Sequence, residues 1–249
     1  MPDQLIHIRI KRQATPHSKP YWETFDVPWR SGMNVISALM EIAANPTTSS
    51  GTATSPIAYE SNCLEEVCGS CAMLINGKSA MACSRLLRTP GEKLKLEPLS
   101  RFPVVRDLIV DRSVLFENLK RVKAWVPVDG TYDLGPGPRI TPAEQEQAYP
   151  LSRCMSCCLC LEVCPQVTGA TRFVGAAIIN QVRLFNLHPT GQVLKSERLE
   201  AMMGDGGIHE CSYAQNCVRI CPKDIPLTTS ISIVYGQVMK KAIIDLFRK

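Results

Sequence analysis

Twelve cysteines are distributed along the 249-residue chain in three groups with short, regular intervals. The first group reads C-x4-C-x2-C and is followed, after eleven further residues, by a fourth cysteine. Its members are Cys63, Cys68, Cys71 and Cys83. This spacing is typical of thiolates that bind a two-iron, two-sulfur cluster. Gly69 and Ser70 place small side chains between two of the cysteines, so the backbone can pass close to such a cluster.

The second group carries the run C-x2-C-x2-C-x3-C-P, and the third group ends in another Cys-Pro pair. Where two such runs occur in one chain, the cysteine before proline binds the cluster of the other run. This exchange predicts that Cys221 joins the second group and that Cys164 joins the third. The predicted four-iron site therefore consists of Cys154, Cys157, Cys160 and Cys221.

The third group is one ligand short of a complete four-iron site. Its predicted ligands are Cys164, Cys211 and Cys217. Ala214 stands where the interval of a complete run would place a further cysteine. Because each iron of a four-iron cluster needs its own thiolate, an iron without one tends to be lost. The sequence thus predicts a three-iron cluster, which offers no labile iron for substrate chemistry and suits electron transfer.

The twelfth cysteine, Cys158, directly follows Cys157. Successive side chains cannot easily reach the same iron, so we expect Cys158 to be a bystander; a rescue ligand and a reactive thiol are the alternatives. A disulfide framework is a further alternative for an even number of cysteines, although no secretion signal precedes them. Zinc also binds C-x2-C pairs, but a run with such close ligand intervals is unusual for zinc.

Composition narrows the class of protein. Apolar residues make up 45% of the chain and the net charge is +5, without a cluster of Lys and Arg interleaved with aromatic residues. A globular protein without a nucleic-acid footprint is expected. The first residues lack the apolar core of a signal peptide, and no stretch approaches the length of a membrane span. We therefore expect a soluble chain in a reducing compartment, where clustered cysteines favour metal or redox chemistry.

The elements that position the first group form a small α+β domain, predicted to span residues 1–104. Alternating apolar residues predict a strand from Leu5 to Lys11. A second strand is expected around Thr24–Val27, followed by a helix capped by Asn34. The Asn-Gly pair at 76–77 predicts a hairpin, and Leu94 and Leu96 mark a closing strand.

Residues 105–249 are predicted to form a mostly helical domain that carries the other two groups. One helical face is expected to present Leu115, Leu119, Val122 and Val126. Residues 127–150 are rich in Pro and Gly and are interpreted as an ordered connector. Further helices are predicted over 193–203 and 227–247, and the charged residues of 195–200 are interpreted as a solvated helix face.

At these residues the chain resembles the iron–sulfur subunit of succinate dehydrogenase and of its sister family, fumarate reductase. The resemblance covers essentially the whole length. It is carried by the cysteine spacing and by four segments: CLEEVCGSC at 63–71, INGK at 75–78, FPVVRDL at 102–108 and QNC at 215–217.

The resemblance implies an N-terminal β-grasp ferredoxin domain of the plant type and a C-terminal, mostly α-helical bacterial ferredoxin-type domain. It also implies the same three ligand sets as the spacing. In the family, a flavoprotein subunit with covalent FAD oxidises succinate, and the iron–sulfur subunit passes the electrons to a quinone at membrane anchor subunits. This chain would then perform no acid–base chemistry on succinate. It would lie at the cytoplasmic face of the bacterial inner membrane, held by its partners.

Segments of the chain also indicate which quinone-linked subtype of this family it resembles. Ubiquinone-reducing members resemble one another in a Trp shortly after the Cys-Pro pair and a His after the first cysteine of the third group. Here Gln166–Gly169 follows Pro165, and Ser212 follows Cys211. These departures argue against the ubiquinone contacts, and the segments LEE at 64–66 and HPTG at 188–191 resemble the menaquinone-linked bacterial type, whose anchor usually carries haem b. Quinone contacts from Pro165, Ser212 or Tyr213 are a further hypothesis. Fumarate reduction by the same architecture and a free-standing soluble ferredoxin remain the alternative functions.

Overall fold

The computed structural model describes residues 4–127 and 137–247. The chain divides into two compact units, Met1–Arg112 and Ser113–Lys249. The boundary predicted after residue 104 falls inside the first of these units. Most of the predicted connector's Pro- and Gly-rich part, residues 128–136, lies outside the described residues.

The first unit contains a five-stranded mixed sheet in the order β2-β1-β5-β3-β4. The parallel pair is β1 with β5, and the other neighbours are antiparallel. A helix, α1, accompanies the sheet, and a short hairpin of β6 and β7 follows it. This is the expected β-grasp arrangement. Its elements are β1 Leu5–Arg12, β2 Tyr21–Pro28, α1 Val35–Ala44, β3 Ala72–Ile75, β4 Lys78–Met81, β5 Lys93–Glu97, β6 Val104–Arg106 and β7 Ile109–Val110.

Local sequence signals account for these elements. Alternation along β1 buries its three isoleucines completely in the core of this unit. The Asn34 side chain accepts the Ser37 backbone N–H at 2.8 Å, so the predicted cap of α1 is confirmed. Asn76 and Gly77 both have positive φ, at 51° and 75°, as a tight hairpin turn requires. The predicted hairpin is thereby confirmed as β3 and β4.

The second unit is helical. The predicted helix over 227–247 is confirmed as α8, and the one over 193–203 begins as a 3₁₀ turn, Gly191–Leu194, and continues as α6. The α+β class and the mostly helical second half are therefore confirmed. The helices are α2 Ser113–Arg121, α3 Pro142–Ser152, α4 Leu159–Glu162, α5 Ala176–Leu187, α6 Lys195–Met203, α7 Asn216–Ile220 and α8 Leu227–Phe247. None of the helices within the described ranges combines the length and the apolar character needed to cross a membrane.

Two interpretations of the sequence were wrong. The end of the predicted connector is helix α3, which begins with a reciprocal capping box between Thr141 and Glu144 and has Pro142 in its first turn. The charged stretch of α6 is not uniformly solvated, because Arg198 is fully buried. The Arg198 guanidinium donates to the carbonyls of Lys123, Trp125 and Gly191 at 2.6–2.9 Å and to the Asn186 side chain at 3.1 Å. These acceptors satisfy a buried cation that stacks over a phenylalanine ring.

Candidate iron–sulfur sites

The first cysteine group lies on the loop before β3 and just after β4. Cys63 and Cys68 are partly exposed on this loop, whereas Cys71 and Cys83 are buried. The hairpin brings the last two together, since the Ala82 N–H donates to the Cys71 carbonyl at 3.1 Å. One partly open loop and one buried hairpin base thus supply the four predicted ligands of the two-iron site.

The backbone of this loop is turned toward the sulfurs. The Cys63 sulfur accepts the backbone N–H groups of Glu65, Val67 and Cys68 at 3.3–3.4 Å. Leu64 and Glu66 take left-handed φ values of 60° and 56°, which cost on the order of 1–3 kcal/mol each for residues other than glycine. Successive N–H groups in such a conformation form a concave nest for anions, a device found at iron–sulfur sites. The loop is therefore shaped for a negatively charged group.

The thiols of this site differ in acidity before any metal binds. The Ser70 hydroxyl donates to the Cys68 sulfur at 3.3 Å. This hydrogen bond first, and backbone donors second, lower the pKa of Cys68 to about 6. Burial disfavours the thiolate of Cys71 and raises its pKa to about 12. Coordination to iron deprotonates thiols outright, so Cys71 needs the metal to become charged.

The second unit contains a recess that joins the two Cys-Pro segments. It encloses about 390 Å³, including space open to solvent. The cysteines that line it are Cys154, Cys157, Cys158, Cys160 and Cys221. The four predicted four-iron ligands therefore surround one space, although Cys221 comes from a segment far along the chain.

A neighbouring recess of about 410 Å³, again partly open to solvent, contains the third predicted set. Its cysteines are Cys164, Cys211 and Cys217. Ala214 lines the same recess, together with Pro165, Ser212 and Tyr213. The exchange of the two cysteines that precede proline, which the sequence predicts, is thus reproduced in the spatial grouping of the residues.

The loops that enter these recesses share one backbone pattern. Ser156 and Cys158 have φ values of 53° and 67°, and Tyr213 and Gln215, at matching positions, have 55° and 60°. A short helix, α4 or α7, begins directly after each pair. When the two loops are aligned on this backbone pattern, Ala214 takes the position of Cys157. A methyl group therefore occupies the place of a thiol in an otherwise equivalent loop.

The two recesses are adjacent because the same helices line both of them. At the start of α5, Ala176 lines the three-cysteine recess and Ala177 the other one. At the start of α8, Thr228 and Leu227 are divided between the recesses in the same way. Adjacent residues of each helix therefore line the two recesses. Groups bound in the two recesses would be neighbours, as electron transfer requires.

Burial lowers the acidity of four of the thiols that line these recesses. It raises the pKa of Cys160 well above the usual value, and neighbouring thiols add to the effect. It also raises the pKa of Cys154, Cys211 and Cys217. A hydrogen bond from the Gln181 side chain acts in the opposite direction at Cys154. These thiols therefore ionise only when a cation such as iron compensates their charge.

The donor sets fit iron–sulfur clusters, because cysteine thiolates are the ligands that hold the irons of such clusters. Within the described ranges, no three His, Cys, Asp or Glu side chains are placed to hold a single metal ion; the cysteines surround spaces instead. When bound, such clusters supply one-electron redox chemistry at thiolate-held iron.

Cys158 lies against the four-iron recess and is almost fully buried. Its left-handed φ makes it the residue that precedes α4, and its sulfur lies 3.5 Å from the Ser156 carbonyl. The bystander role stays a prediction. The left-handed backbone that Cys158 and Gln215 share could not be predicted, because such conformations leave little sequence signal at residues other than glycine.

Comparisons with known proteins agree with this geometry. Residues 7–117 match a family described as a 2Fe-2S iron-sulfur cluster binding domain. Residues 150–225 match a family described as a 4Fe-4S dicluster domain. The fold and the cysteine sites thus define an iron–sulfur electron-transfer protein with a 2Fe-2S domain followed by a 4Fe-4S domain.

Relatives specify the family more closely. The succinate dehydrogenase iron-sulfur subunit of Bacillus subtilis is 55% identical over 91% of this chain and 90% of its own length. The fumarate reductase iron-sulfur subunit of Haemophilus influenzae is 29% identical over 86% of this chain and 85% of its own. The chain therefore belongs to the family of succinate dehydrogenase iron–sulfur subunits.

A solved structure supports the fold. A chain of the Mycobacterium smegmatis Sdh1 complex in the apo form superposes with a TM-score of 0.78. The match covers 96% of this chain and 97% of that chain, at 24% identity. The two-unit architecture is therefore shared with that chain.

Proposed function

We propose that this chain is the electron-transfer subunit of a respiratory succinate:quinone oxidoreductase. In this proposal, two electrons and two protons leave succinate at the FAD of a flavoprotein subunit. The electrons cross this chain one at a time, and a quinone in membrane anchor subunits takes up two electrons and two protons. The observation that carries the proposal is the arrangement of three separate cysteine sites, two of which are lined by adjacent residues of the same helices.

The proposed ligand sets follow this arrangement. The two-iron cluster is assigned to Cys63, Cys68, Cys71 and Cys83. The four-iron cluster is assigned to Cys154, Cys157, Cys160 and Cys221. The three-iron cluster is assigned to Cys164, Cys211 and Cys217. Support comes from the common recess of each set in the second unit and from the N–H donors around Cys63 in the first.

The three-iron assignment has its own support. Ala214 occupies the loop position that Cys157 has in the other recess, and its methyl group cannot bind iron. Three thiolates remain around this recess. A cluster with three irons matches that number, since each iron needs one cysteine.

The direction of electron flow is proposed to be succinate oxidation. The relative named for succinate dehydrogenase is 55% identical to this chain, whereas the fumarate reductase relative reaches 29%. Fumarate reduction by the same architecture is the second candidate. A plant-type two-iron centre lies near about −400 mV, so a succinate-linked route needs donors such as those around Cys63 to raise the potential.

The remaining assignments concern the partners and the quinone. The chain is proposed to bind a flavoprotein subunit and anchor subunits at the cytoplasmic face of the inner membrane. Menaquinone is the proposed acceptor, and haem b is proposed for the anchor. Support for a quinone near the three-iron recess comes from Tyr213, which is partly exposed beside that recess.

Co-purification tests this function directly. A tagged chain isolated from gently solubilised membranes should bring with it a flavoprotein with covalent FAD and apolar membrane subunits. The isolated complex should reduce a menaquinone analogue with succinate. A stable, soluble monomer without partners would contradict the proposal and favour a free-standing ferredoxin.

A further inference from the structure

Arg112, the last residue of the first unit, is anchored on the two-iron loop. Its Nη1 donates to the Gly69 carbonyl at 2.8 Å and its Nη2 to the Ser70 carbonyl at 2.7 Å. These two residues separate Cys68 from Cys71. The guanidinium therefore holds consecutive carbonyls of the segment between two proposed ligands.

These two hydrogen bonds determine the direction in which the N–H groups of the same peptide units point. In a trans peptide the N–H points away from the C=O, so carbonyls bound to Arg112 leave the N–H groups of Ser70 and Cys71 on the far side. Gly69, with φ of 77°, permits the required turn. The Ser70 backbone N–H and its hydroxyl both act on the Cys68 sulfur. Arg112 thus supports donors that act on a proposed ligand.

The charge of Arg112 is only weakly compensated. Its side chain is 15% exposed, and the carboxylate it pairs with, that of Glu60, is 3.6 Å away and 47% exposed. Its buried Nε has no hydrogen-bond partner within the described part of the chain. A cation in this setting is screened much less than one in water. It therefore acts on nearby charge more strongly than the exposed arginines of the same unit do.

We propose that Arg112 is a positioning residue of the two-iron centre, which fixes the Cys68–Cys71 segment and favours the reduced cluster through its charge. Reduction adds one negative charge to the cluster, and a nearby cation stabilises that charge. Removal of the cation lowers the reduction potential. The inference rests on the proposed two-iron ligand set of the function described above.

The test is a redox titration of the assembled enzyme, followed by EPR of the two-iron centre. Arg112→Gln removes the charge and keeps polar groups near the carbonyls. At a fixed potential, the ratio of reduced to oxidised two-iron cluster should fall about tenfold, which corresponds to about 59 mV for a one-electron couple. Arg112→Lys keeps the charge and should retain most of the wild-type ratio. The four-iron and three-iron signals should not shift in either variant.

Arg30→Gln is the matched control. It removes one positive charge from the same unit, but Arg30 is exposed and pairs with Glu41. This variant should leave the two-iron potential unchanged. If Arg112→Gln assembles no cluster, the lysine variant decides the question: a potential close to wild type supports the proposal.

Three results would overturn the inference. They are an unchanged ratio in Arg112→Gln, an equal fall in the lysine and glutamine variants, and an equal fall in the Arg30 control. Failure of the proposed function gives a different result, because the wild-type protein would then keep its two-iron signal but would not reduce a menaquinone analogue with succinate.

Discussion

In the first unit, the four proposed ligands come from residues 63–83 and are assembled by one loop and one hairpin. In the second unit, each recess combines cysteines from segments on either side of α5 and α6. Both regions combine buried and partly exposed thiols: Cys63 and Cys68 are partly exposed in the first unit, and all proposed ligands of the second unit except Cys217 are partly exposed as well. Local chain geometry can therefore build a cluster site early in folding, while the paired sites need most of the helical unit to be in place.

The cysteine loops of the two units share one backbone feature. Each of the three loops contains two left-handed residues separated by one position, beginning at Leu64, Ser156 and Tyr213. None of these residues is glycine, so the strain is retained in all three loops. The common requirement is an inward-facing row of N–H groups for a negatively charged cluster. The two units differ in where their other proposed ligands come from: a neighbouring hairpin in the first unit, and distant segments of the chain in the second.

The largest expected effect comes from breaking the long-range pairing. Cys221→Ala removes a proposed four-iron ligand, which enters the recess from the distant Cys-Pro pair. The four-iron EPR signal should be lost, and quinone reduction should fall by at least the 10–100-fold typical of residues that merely orient metal ligands. The two-iron signal of the first unit should persist, because its ligands are local.

Cys158→Ala is the matched control for that experiment. It removes a thiol from the same recess without touching a proposed ligand. Iron content and activity should stay at the wild-type level. Iron loss in this control would show that Cys158, and not a neighbour, binds the cluster.

A smaller effect is expected from weakening the first unit alone. The buried Asp107 carboxylate accepts hydrogen bonds from the Arg12 side chain and from the backbone N–H groups of Gln13 and Ala58 at 2.9–3.0 Å. Asp107→Ala leaves Arg12 buried without this partner. Loss of one member of a buried ion pair costs about 3–5 kcal/mol where the other charge is left uncompensated; Arg12 still pairs with Glu23, so a loss below that range is expected here. On heating, the two-iron signal should disappear at a lower temperature, while the four-iron signal should be affected less.

Asp26→Ala provides the comparison for Asp107. Asp26 is partly exposed and pairs with His7 on the same sheet, and such surface pairs contribute about 0–1 kcal/mol. On heating, the two-iron signal of the Asp26→Ala variant should therefore disappear close to the wild-type temperature. If the two-iron signals of both variants disappeared at the same temperature, this result would contradict the importance assigned to the buried pair.

The sequence predicted the locally encoded features. The strand at Leu5, the Asn34 cap and the Asn76–Gly77 hairpin each rest on a short pattern with a direct physical cause, and all three are present. The grouping of cysteines followed from spacing and from the exchange between two Cys-Pro runs. The structure reproduces that grouping in the second unit.

Other features depend on tertiary context. Helix α5 is buried around most of its surface, so it has little of the polar and apolar contrast that reveals a surface helix. Helix α3 had a usable signal, the Thr141–Glu144 capping box, which the surrounding prolines and glycines obscured. The burial of Arg198 depends on carbonyls from two other segments, one with Lys123 and Trp125 and one with Gly191, and the proposed role of Arg112 depends on a loop more than forty residues earlier.

The central claim concerns the recess lined by Cys164, Cys211 and Cys217. Three thiolates and the methyl group of Ala214 are claimed to surround it. EPR of the oxidised complex, compared between the wild type and Ala214→Cys, tests it most directly. The wild type should show a three-iron signal, and the variant, with a fourth thiol at position 214, should lose that signal as a second four-iron cluster forms. An unchanged three-iron signal in the variant, or its absence from the wild type, would contradict the account.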